Sequence, residues 1–328
     1  MKKQELHTYI EKHQSNITQI TAYKQGMRVY SDEWHGYTQE DTCHVMSATK
    51  SISALLIGIA IDRGYIQDIQ QPILDFFPDY KVKRGEKTIQ QVTIQHLLTM
   101  TTPYKYRYEP WTKICSQADW TYAALDFVGG RKGLTNEFRY STLGIHILHG
   151  ILANTTGMTT VDFANTYLFE PIGVAAHENY YAQTAEEHKH FITGKEPKRN
   201  VWFCDGKGVG AAGYGLCLSA QDMAKIGQLC LDKGLHDGKQ IIAEEWLKRI
   251  TSKHTTTGKE FNFMPYGYLW WIIEGDKHAY AAIGNSGNVI YVNHTDNIVV
   301  GITAYFKPTV FDRIEFIQQV LEPYIMGL

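Results

Sequence analysis

The 328-residue sequence predicts an α+β fold, in which an antiparallel sheet is flanked by helices and an all-α lobe is inserted into the chain. Strand-like runs of alternating or β-branched residues occur near the N-terminus and again after Gly238. The stretch between them carries helical periodicity and long loops instead. Residues 1–64 and 237–328 are therefore predicted to form one discontinuous domain, residues 65–236 a mainly helical lobe, and the cleft between them the active site.

The N-terminal part predicts a helix, a hairpin and a second, buried helix. Residues from about 3 to 20 predict the first helix, while Thr18–Tyr23 and Gly26–Tyr30 alternate as the two strands of a hairpin do. Ser47–Arg63 is apolar nearly all round, which is typical of a helix enclosed by protein on every side, and Gly64 can end it.

The rest of the chain predicts a helical stretch followed by a meander of strands. The predicted helices are Ile94–Met100, Thr142–Ala153, Val161–Leu168 and a helix that Ser219 caps and that ends at Leu231. The predicted strands are Tyr266–Ile273, Ala279–Ile283, Val289–Val292 and Ile298–Ala304, and a last helix covers about Val310–Tyr324.

Composition argues against several classes of protein. Lys plus Arg (32) nearly balance Asp plus Glu (34), so nucleic-acid binding and a polybasic membrane anchor have no support. The longest apolar runs, such as Ala54–Ile61, are far shorter than the roughly 20 residues that cross a bilayer. The N-terminal residues lack the apolar segment of a secretory signal, so a cytoplasmic location is expected. Five cysteines without C-x-x-C spacing indicate reduced thiols rather than disulfides or a zinc site.

Ser47 and Lys50 have the spacing of a nucleophile and its base. Side chains three residues apart lie on one face of a helix, so the Lys50 amine can reach the Ser47 hydroxyl. Ser47 also falls at the helix N-terminus, where free N–H groups favour developing negative charge. A lysine at the start of so apolar a helix either snorkels to water or is desolvated, and desolvation lowers its pKa toward that of a useful base.

Two further segments are candidates for the same site. Tyr140 directly precedes a buried helix, although with 21 tyrosines in the chain a structural role is equally compatible with its position. Gly284 and Gly287 interrupt two strand-like pieces, which suggests a bulge or a close backbone approach to a ligand. A backbone N–H at this break, on Asn285 or Ser286, could complete an oxyanion hole.

These motifs, in this order, resemble the serine β-lactamase and penicillin-binding protein family, and within it the class C-like esterases and amidases, including the 6-aminohexanoate-dimer hydrolases. Ser47-Ala-Thr-Lys50 matches the Ser-x-x-Lys motif. Further matching segments are His96–Thr102, Tyr140-Ser-Thr142, Gly213–Ala224 and Asp237–Trp246. The resemblance covers nearly the whole chain. It implies catalysis by Ser47, Lys50 and Tyr140 without a metal or organic cofactor, and it leaves open whether Lys50 or Tyr140 is the ground-state base.

The sequence departs from the family pattern where the substrate would be held. The asparagine of Tyr-x-Asn is replaced by Thr142, and the Lys-Thr/Ser-Gly motif by Gly284-Asn285-Ser286-Gly287. The second change removes a cation that would grip a carboxylate. Both favour an esterase or amidase with weak β-lactamase activity at most. The aromatic residues of the loop 104–120, among them Tyr104 and Trp111, could line a pocket for an apolar acyl group or could simply pack the lobe.

The function predicted is therefore that of a serine hydrolase that cleaves a small ester or amide through an acyl-serine intermediate. The alternative is a catalytically silent module that recognises peptide or cell-wall fragments.

Other patterns carry less weight. Gly208–Gly213 fits G-x-G-x-x-G without a preceding strand, and His44 could compete as a base. His188 and His190 lack the carboxylate spacing of a metal-binding helix, which favours a solvated surface.

Overall fold

An eight-stranded antiparallel sheet forms the centre of the computed structural model, which describes residues 2–328. The strands of this part of the chain are β1 (Ile17–Lys24), β2 (Met27–Glu33), β3 (Cys43–His44), β4 (Glu178–Tyr180), β5 (Val201–Phe203), β6 (Cys217–Leu218), β7 (Leu235–His236), β8 (Lys239–Gln240), β9 (Thr255–Thr256), β10 (Pro265–Tyr266), β11 (Trp271–Ile273), β12 (Ala279–Gly284), β13 (Asn288–Asn293) and β14 (Ile298–Ala304). The large sheet has the order β2-β1-β14-β13-β12-β11-β10-β9. The short strands pair outside it, β3 with β6, β4 with β5 and β7 with β8.

Helices flank this sheet and fill the lobe. They are α1 (Lys3–His13), α2 (Ala48–Asp62), α3 (Ile94–Leu98), α4 (Trp111–Cys115), α5 (Trp120–Leu125), α6 (His146–Thr156), α7 (Thr160–Ala164), α8 (Ala185–Thr193), α9 (Ala220–Leu231), α10 (Glu244–Ile250), α11 (Ile314–Phe316) and α12 (Glu322–Met326). Wider π-type turns at Asn165–Phe169 and Ile317–Leu321 extend α7 and α11. Single 3₁₀ turns occur at Ile73–Phe76, Thr88–Gln91, Glu170–Ile172, Lys259–Phe261 and Asn285–Gly287.

Protein covers both faces of the middle of the sheet. In β13, Ile290 and Val292 face Gly227 of α9, whereas the Tyr291 hydroxyl between them donates to Glu322 of α12 over 2.9 Å. Alternate residues of a strand point to opposite faces, so α9 and α12 lie on opposite sides of β13. This arrangement explains why β12, β13 and β14 are buried along their whole length.

The two ends of the chain meet in the sheet. Strand β1 pairs with β14, with Ile20 opposite Ile302, and β2 follows β1 as a hairpin. Gln25 and Gly26 form the hairpin turn, and both have positive φ, as a two-residue turn between twisted strands requires. The predicted α+β fold with an antiparallel sheet is confirmed.

Helix α2 is buried as the sequence predicts. Thirteen of its fifteen residues are buried, and it packs against β12, α6 and α10. Trp246 of α10 lies over Gly58 and donates its indole N–H to the Ala54 carbonyl over 3.0 Å. Gly64 follows the helix with a φ of 77°, the left-handed conformation expected of a residue that ends a helix.

Several sequence predictions have the wrong extent, among them the helix predicted from Thr142, which begins at His146 as α6. The first helix ends at His13, because Ile17 and Ile20 belong to β1. Residues 266–273 form two strands joined by a tight turn instead of one strand, since the backbone reverses at Gly267 against the Ile250 carbonyl. The last helical segment begins at Ile314.

The division into a sheet domain and a lobe of residues 65–236 stays a prediction. Helices α3 to α8 lie in this range, and along the chain they fall between β2 and β9, two strands of the large sheet. Helix α9 also falls in the range, yet it packs directly on β1, β13 and β14. Its residues therefore contribute to the core around the sheet.

Candidate active site

A strained turn precedes the candidate nucleophile Ser47. Strand β3 pairs with β6, and the Val45 N–H then donates to the Leu216 carbonyl over 2.9 Å, which fixes the entry of the chain into the turn. Met46 has a φ of 52°, an uncommon conformation for a residue with a side chain. Such strain persists where the surroundings impose it, and it is common at functional sites. The partly exposed Ser47 follows at the N-terminus of α2.

Lys50 lies one turn further along α2, with its amine pointing back at Ser47. The Lys50 Nζ is 2.9 Å from Ser47 Oγ, 3.2 Å from Thr142 Oγ1 and 2.7 Å from the Gly213 carbonyl oxygen. The side chain is 1% exposed. Burial lowers the pKa of Lys50 from 10.5 to about 7, against a smaller opposing effect of the Glu109 carboxylate.

Three hydrogen-bond partners suit both protonation states of Lys50. An ammonium has three hydrogens to donate, whereas a neutral amine has two hydrogens and one lone pair. The charged form can donate to all three partners. The neutral form can donate to Thr142 and Gly213 and accept from the Ser47 hydroxyl. A proton can therefore pass from Ser47 to Lys50 without any partner being lost.

Tyr140 lies beside this pair. Its ring centroid is 4.8 Å from Lys50 Nζ, and the ring packs against Phe261 and Trp271. Burial raises the pKa of the Tyr140 hydroxyl, and an interaction with the Ser47 hydroxyl opposes that rise. The phenol therefore stays protonated at neutral pH and is available as a hydrogen-bond donor at Ser47.

The turn between β12 and β13 meets the Ser47 turn through Gly284. A Cβ on Gly284 would lie 2.1 Å from the Val45 carbonyl oxygen and 3.0 Å from the Ala48 nitrogen, so only glycine fits here. This contact brings the predicted glycine break beside Ser47. Asn285, the next residue, is exposed.

Ser286 is hydrogen-bonded to the segment 307–310. Its N–H donates to the Val310 carbonyl over 2.7 Å, and its hydroxyl accepts from the Lys307 N–H over 2.8 Å. The Ser286 N–H is therefore already used, which leaves the Asn285 N–H as the remaining candidate of the two oxyanion donors. Gly287 packs against the buried Arg313 side chain, whose guanidinium is bonded to Gln14 and Asn16.

Gly213 is a site residue to which sequence reasoning gave no role. It falls in the segment Gly213–Ala224 of the resemblance, and its carbonyl accepts from Lys50. A Cβ on Gly213 would lie 2.4 Å from the Thr142 carbonyl oxygen, so a side chain would push these two segments apart. Of the three glycines in the G-x-G-x-x-G pattern, Gly213 packs at Lys50, whereas Gly208 and Gly210 pack near Thr159 and Thr160.

Glu109 is the second residue that the sequence did not indicate. Its Oε1 accepts from the Thr142 N–H at 2.6 Å, the Leu143 N–H at 2.9 Å and the Ser141 hydroxyl at 2.9 Å. These groups immediately follow Tyr140 and precede α6. No sequence motif connects a glutamate in an aromatic loop to this turn, which lies more than thirty residues further along the chain.

The two aromatic residues predicted to bind substrate have different surroundings. Tyr104 is 7% exposed and fills the space over Gly144, which indicates a packing role. Trp111 is 39% exposed and lines a cavity of about 780 Å³ together with Trp120, Tyr181 and other residues. Its ring meets Tyr214, the neighbour of Gly213, at a centroid distance of 5.5 Å.

The competing candidates have structural partners. His44 Nε2 accepts from the Gly215 N–H, and burial lowers the pKa of His44 to about 3, so it is neutral. Lys277, upstream of the glycine break, pairs with Asp296 and Glu322. Among residues 2–328 there is no group of three or more His, Cys, Asp or Glu side chains placed to hold a metal ion.

The comparison with protein families decides the assignment, because the β-lactamase family model matches residues 18–321. The chain belongs to the β-lactamase family. In this β-lactamase-family protein, the Ser-x-x-Lys pair, Tyr140 and the β12–β13 turn lie close together in space. Along the chain they follow one another in the order of the motifs that carry the sequence resemblance.

Known relatives of this β-lactamase-family protein include hydrolases. The 6-aminohexanoate-dimer hydrolase of Paenarthrobacter ureafaciens is 24% identical over 296 residues, which are 83% of this chain and 69% of that enzyme. The octameric penicillin-binding protein homologue from Pyrococcus abyssi has a TM-score of 0.73 at 20% identity, over 99% of this chain and 78% of that one. EstCE1, a hydrolase with promiscuous acyltransferase activity, has a TM-score of 0.69 at 15% identity, over 92% of each chain. The predicted serine β-lactamase-like fold is confirmed, and the family and relatives indicate a hydrolase.

Within residues 2–328, every helix is too short or too polar to cross a bilayer.

Proposed function

We propose that this protein hydrolyses an ester or amide bond through a covalent acyl-serine intermediate. The observation that supports the proposal most strongly is the buried Lys50 amine, 2.9 Å from Ser47 Oγ, with its pKa lowered to about 7. A base with a pKa near the operating pH removes a proton efficiently, and Ser–Lys nucleophile pairs depend on such a shift.

In the proposed acylation step, Lys50 takes the Ser47 proton while Oγ attacks the carbonyl carbon. The carbonyl oxygen becomes an oxyanion, which the N–H groups of Ser47 and Asn285 stabilise. One such donor typically contributes about 3 kcal/mol to lowering the barrier. Tyr140 then relays the proton from Lys50 to the leaving alcohol or amine as the bond to that group breaks.

Deacylation reverses these roles. A water molecule enters where the leaving group was, and Lys50 accepts its proton, relayed by the Tyr140 hydroxyl, as the water oxygen attacks the acyl carbon. The bond between Ser47 Oγ and the acyl carbon breaks, and Ser47 recovers its proton from Lys50. Thr142 holds the amine in place, because its hydroxyl accepts from Lys50 Nζ over 3.2 Å and still has a hydrogen to donate into the cleft.

We propose an uncharged or weakly polar substrate. Lys277 is paired with two carboxylates, and Arg313 is buried and bonded to Gln14 and Asn16, so neither replaces the lysine missing from the Lys-Thr/Ser-Gly motif. The cavity beside Trp111 is lined partly by aromatic side chains, and none of Ser47, Lys50 and Tyr140 lines it. Trp111 contacts Tyr214, the neighbour of Gly213, so we propose that an apolar group of the substrate extends from the site into this cavity. Both features favour esters or amides over β-lactams that carry a carboxylate.

The test is the Ser47→Ala variant with two readouts. Turnover of p-nitrophenyl butyrate and an acyl adduct seen by intact-mass spectrometry should both disappear, while the remote, exposed Ser252→Ala variant keeps both. Undiminished turnover by Ser47→Ala would remove Ser47 as the nucleophile. If the wild-type protein binds peptide or cell-wall fragments tightly without forming an adduct or a product, the silent binding module is the correct function.

A further inference from the structure

We propose that Glu109 is a positioning residue of the site, whose carboxylate fixes the turn 141–143 and thereby the Thr142 hydroxyl that holds the Lys50 amine. The effect on catalysis rests on the function proposed above. The effect on the turn does not, because it is a property of the fold alone.

The contacts of Glu109 converge on one short stretch of backbone. A single carboxylate oxygen, Oε1, accepts from the Thr142 and Leu143 N–H groups and from the Ser141 hydroxyl. The Ser141 hydroxyl also accepts from the Gly144 N–H over 2.9 Å. Hydrogen bonds to an ionised acceptor are shorter and roughly twice as strong as those between neutral groups. Glu109 therefore fastens the chain directly after Tyr140.

This turn needs an external acceptor because its N–H groups lie outside any helix or strand. The sequence pattern predicts that the helix begins at Thr142, whereas α6 begins at His146. The N–H groups of Thr142 and Leu143 therefore have no partner from the helix, and a backbone N–H that is removed from water needs a partner. The Glu109 carboxylate accepts from both.

Thr142 links Glu109 to Lys50, because this one residue contacts both of them. The Thr142 N–H donates to Glu109, and the Thr142 hydroxyl accepts from Lys50 Nζ. A change in the first contact rotates or frees the residue that makes the second. Lys50 would then keep Gly213 and Ser47 as partners but lose the group that aligns it between Ser47 and Tyr140.

Glu109 also acts on the charge of Lys50. The groups that face Lys50 Nζ are the Ser47 and Thr142 hydroxyls, the Gly213 carbonyl and the Tyr140 ring. Glu109 is the charged group that acts on it, and it raises the pKa of Lys50 against the stronger effect of burial. Removing the charge while keeping the hydrogen bonds should therefore lower the pKa of Lys50 further.

Two substitutions separate the geometric effect from the effect of the charge. Glu109→Gln keeps an oxygen that can accept from the turn, whereas Glu109→Ala removes the acceptor. The matched control is Glu137→Gln, which removes one exposed carboxylate three residues before Tyr140. The assay is kcat and KM for p-nitrophenyl butyrate from pH 5 to pH 9.

We expect Glu109→Gln to keep its plateau kcat within about threefold of wild type, and to move the acidic limb of the kcat/KM profile about one pH unit lower. Glu109→Ala should lose at least tenfold in kcat at every pH, with a smaller change in KM. Glu137→Gln should match wild type in both respects. If Glu109→Ala retains wild-type kcat, or if the acidic limb of Glu109→Gln does not move, the corresponding part of the proposal is overturned.

Hydrogen exchange gives a readout that does not require activity. The Thr142 and Leu143 amides should exchange at least tenfold faster in Glu109→Ala than in wild type and should stay protected in Glu109→Gln, with the β13 amides protected in all variants as evidence of folding. Equal protection in all three proteins would refute the positioning role. Loss of protection in Glu109→Ala together with full turnover by Ser47→Ala would support the turn contact and refute the proposed function instead.

Discussion

The burial of Lys50 should make the stability of the folded protein depend on pH, and Lys50→Met should remove that dependence. Methionine is unbranched, similar in length and uncharged. The Lys50 amine has a pKa of about 7 in the folded chain against an ordinary value of 10.5. Between these values the unfolded chain binds more protons than the folded one, so the free energy of unfolding of the wild-type protein rises with pH across this window.

The size of the effect follows from the two pKa values. For values of 10.5 and about 7, the cost of burying Lys50 is about 1.4 kcal/mol at pH 9.5 and about 4.6 kcal/mol at pH 6.5. Lys50→Met carries no such cost. It does lose the hydrogen bonds to Ser47, Thr142 and Gly213, but that loss is nearly the same at both pH values. The stability of Lys50→Met relative to wild type should therefore increase by about 3 kcal/mol between pH 9.5 and pH 6.5.

Urea unfolding followed by tryptophan fluorescence measures this difference without any substrate. Wild type, Lys50→Met and the control Lys239→Met, which changes an exposed lysine, are unfolded at pH 6.5 and pH 9.5. The control should keep a constant offset from wild type. If the difference between Lys50→Met and wild type is the same at both pH values, Lys50 is protonated in the folded protein over this range, and the argument for Lys50 as a base is wrong.

Two further substitutions test the packing around Lys50 and the cavity. Gly213→Ala places a Cβ 2.4 Å from the Thr142 carbonyl oxygen, so the protein should lose roughly 1–3 kcal/mol of stability, measured as a lower Tm. The substitution should also lower kcat, because it displaces the carbonyl that accepts from Lys50. A Tm and kcat equal to wild type would contradict this close contact. Trp111→Ala should raise KM for a p-nitrophenyl ester of an aromatic acid about tenfold, with little change in kcat or in KM for the acetate ester. The reason is that Trp111 lines the cavity, whereas neither Ser47 nor Lys50 does. An equal rise in KM for both esters would place the acyl group elsewhere.

The parts of the site that depend on local geometry could be predicted from the sequence. Lys50 is three residues after Ser47, and helical geometry alone brings their side chains together, which the 2.9 Å contact reflects. The burial of Lys50 follows from the apolar residues around it on α2. Tyr140 and the turn at Gly284 could be connected to Ser47 only by the family resemblance, because no local rule relates segments so far apart in sequence.

The parts of the site that depend on distant backbone contacts could not be predicted. The Ser286 N–H bonds the Val310 carbonyl, a partner outside any strand or helix, so the sequence left Asn285 and Ser286 equivalent as oxyanion donors. Glu109 contacts the turn 141–143 through backbone N–H groups. Every residue except proline has such a group, so the residue types in the turn do not indicate this contact. The predicted start of α6 was wrong in the same region, because the Thr142 and Leu143 N–H groups bond to Glu109 and the helix begins only at His146.

The central sheet cannot be completed until nearly the whole chain has been synthesised, because β1 pairs with β14. Residues 17–24 have no permanent partner on one side until residues 298–304 have been synthesised, and Asn16 bonds the carbonyls of Ser286 and Tyr305 across the same gap. Contacts between residues so far apart in sequence slow folding, because a long loop must close before they form. During synthesis the first hairpin therefore presents an open edge to its surroundings, and unpaired edges of this kind are prone to aggregation. Selection for efficient folding should act on this hairpin, far from the chemistry at Ser47.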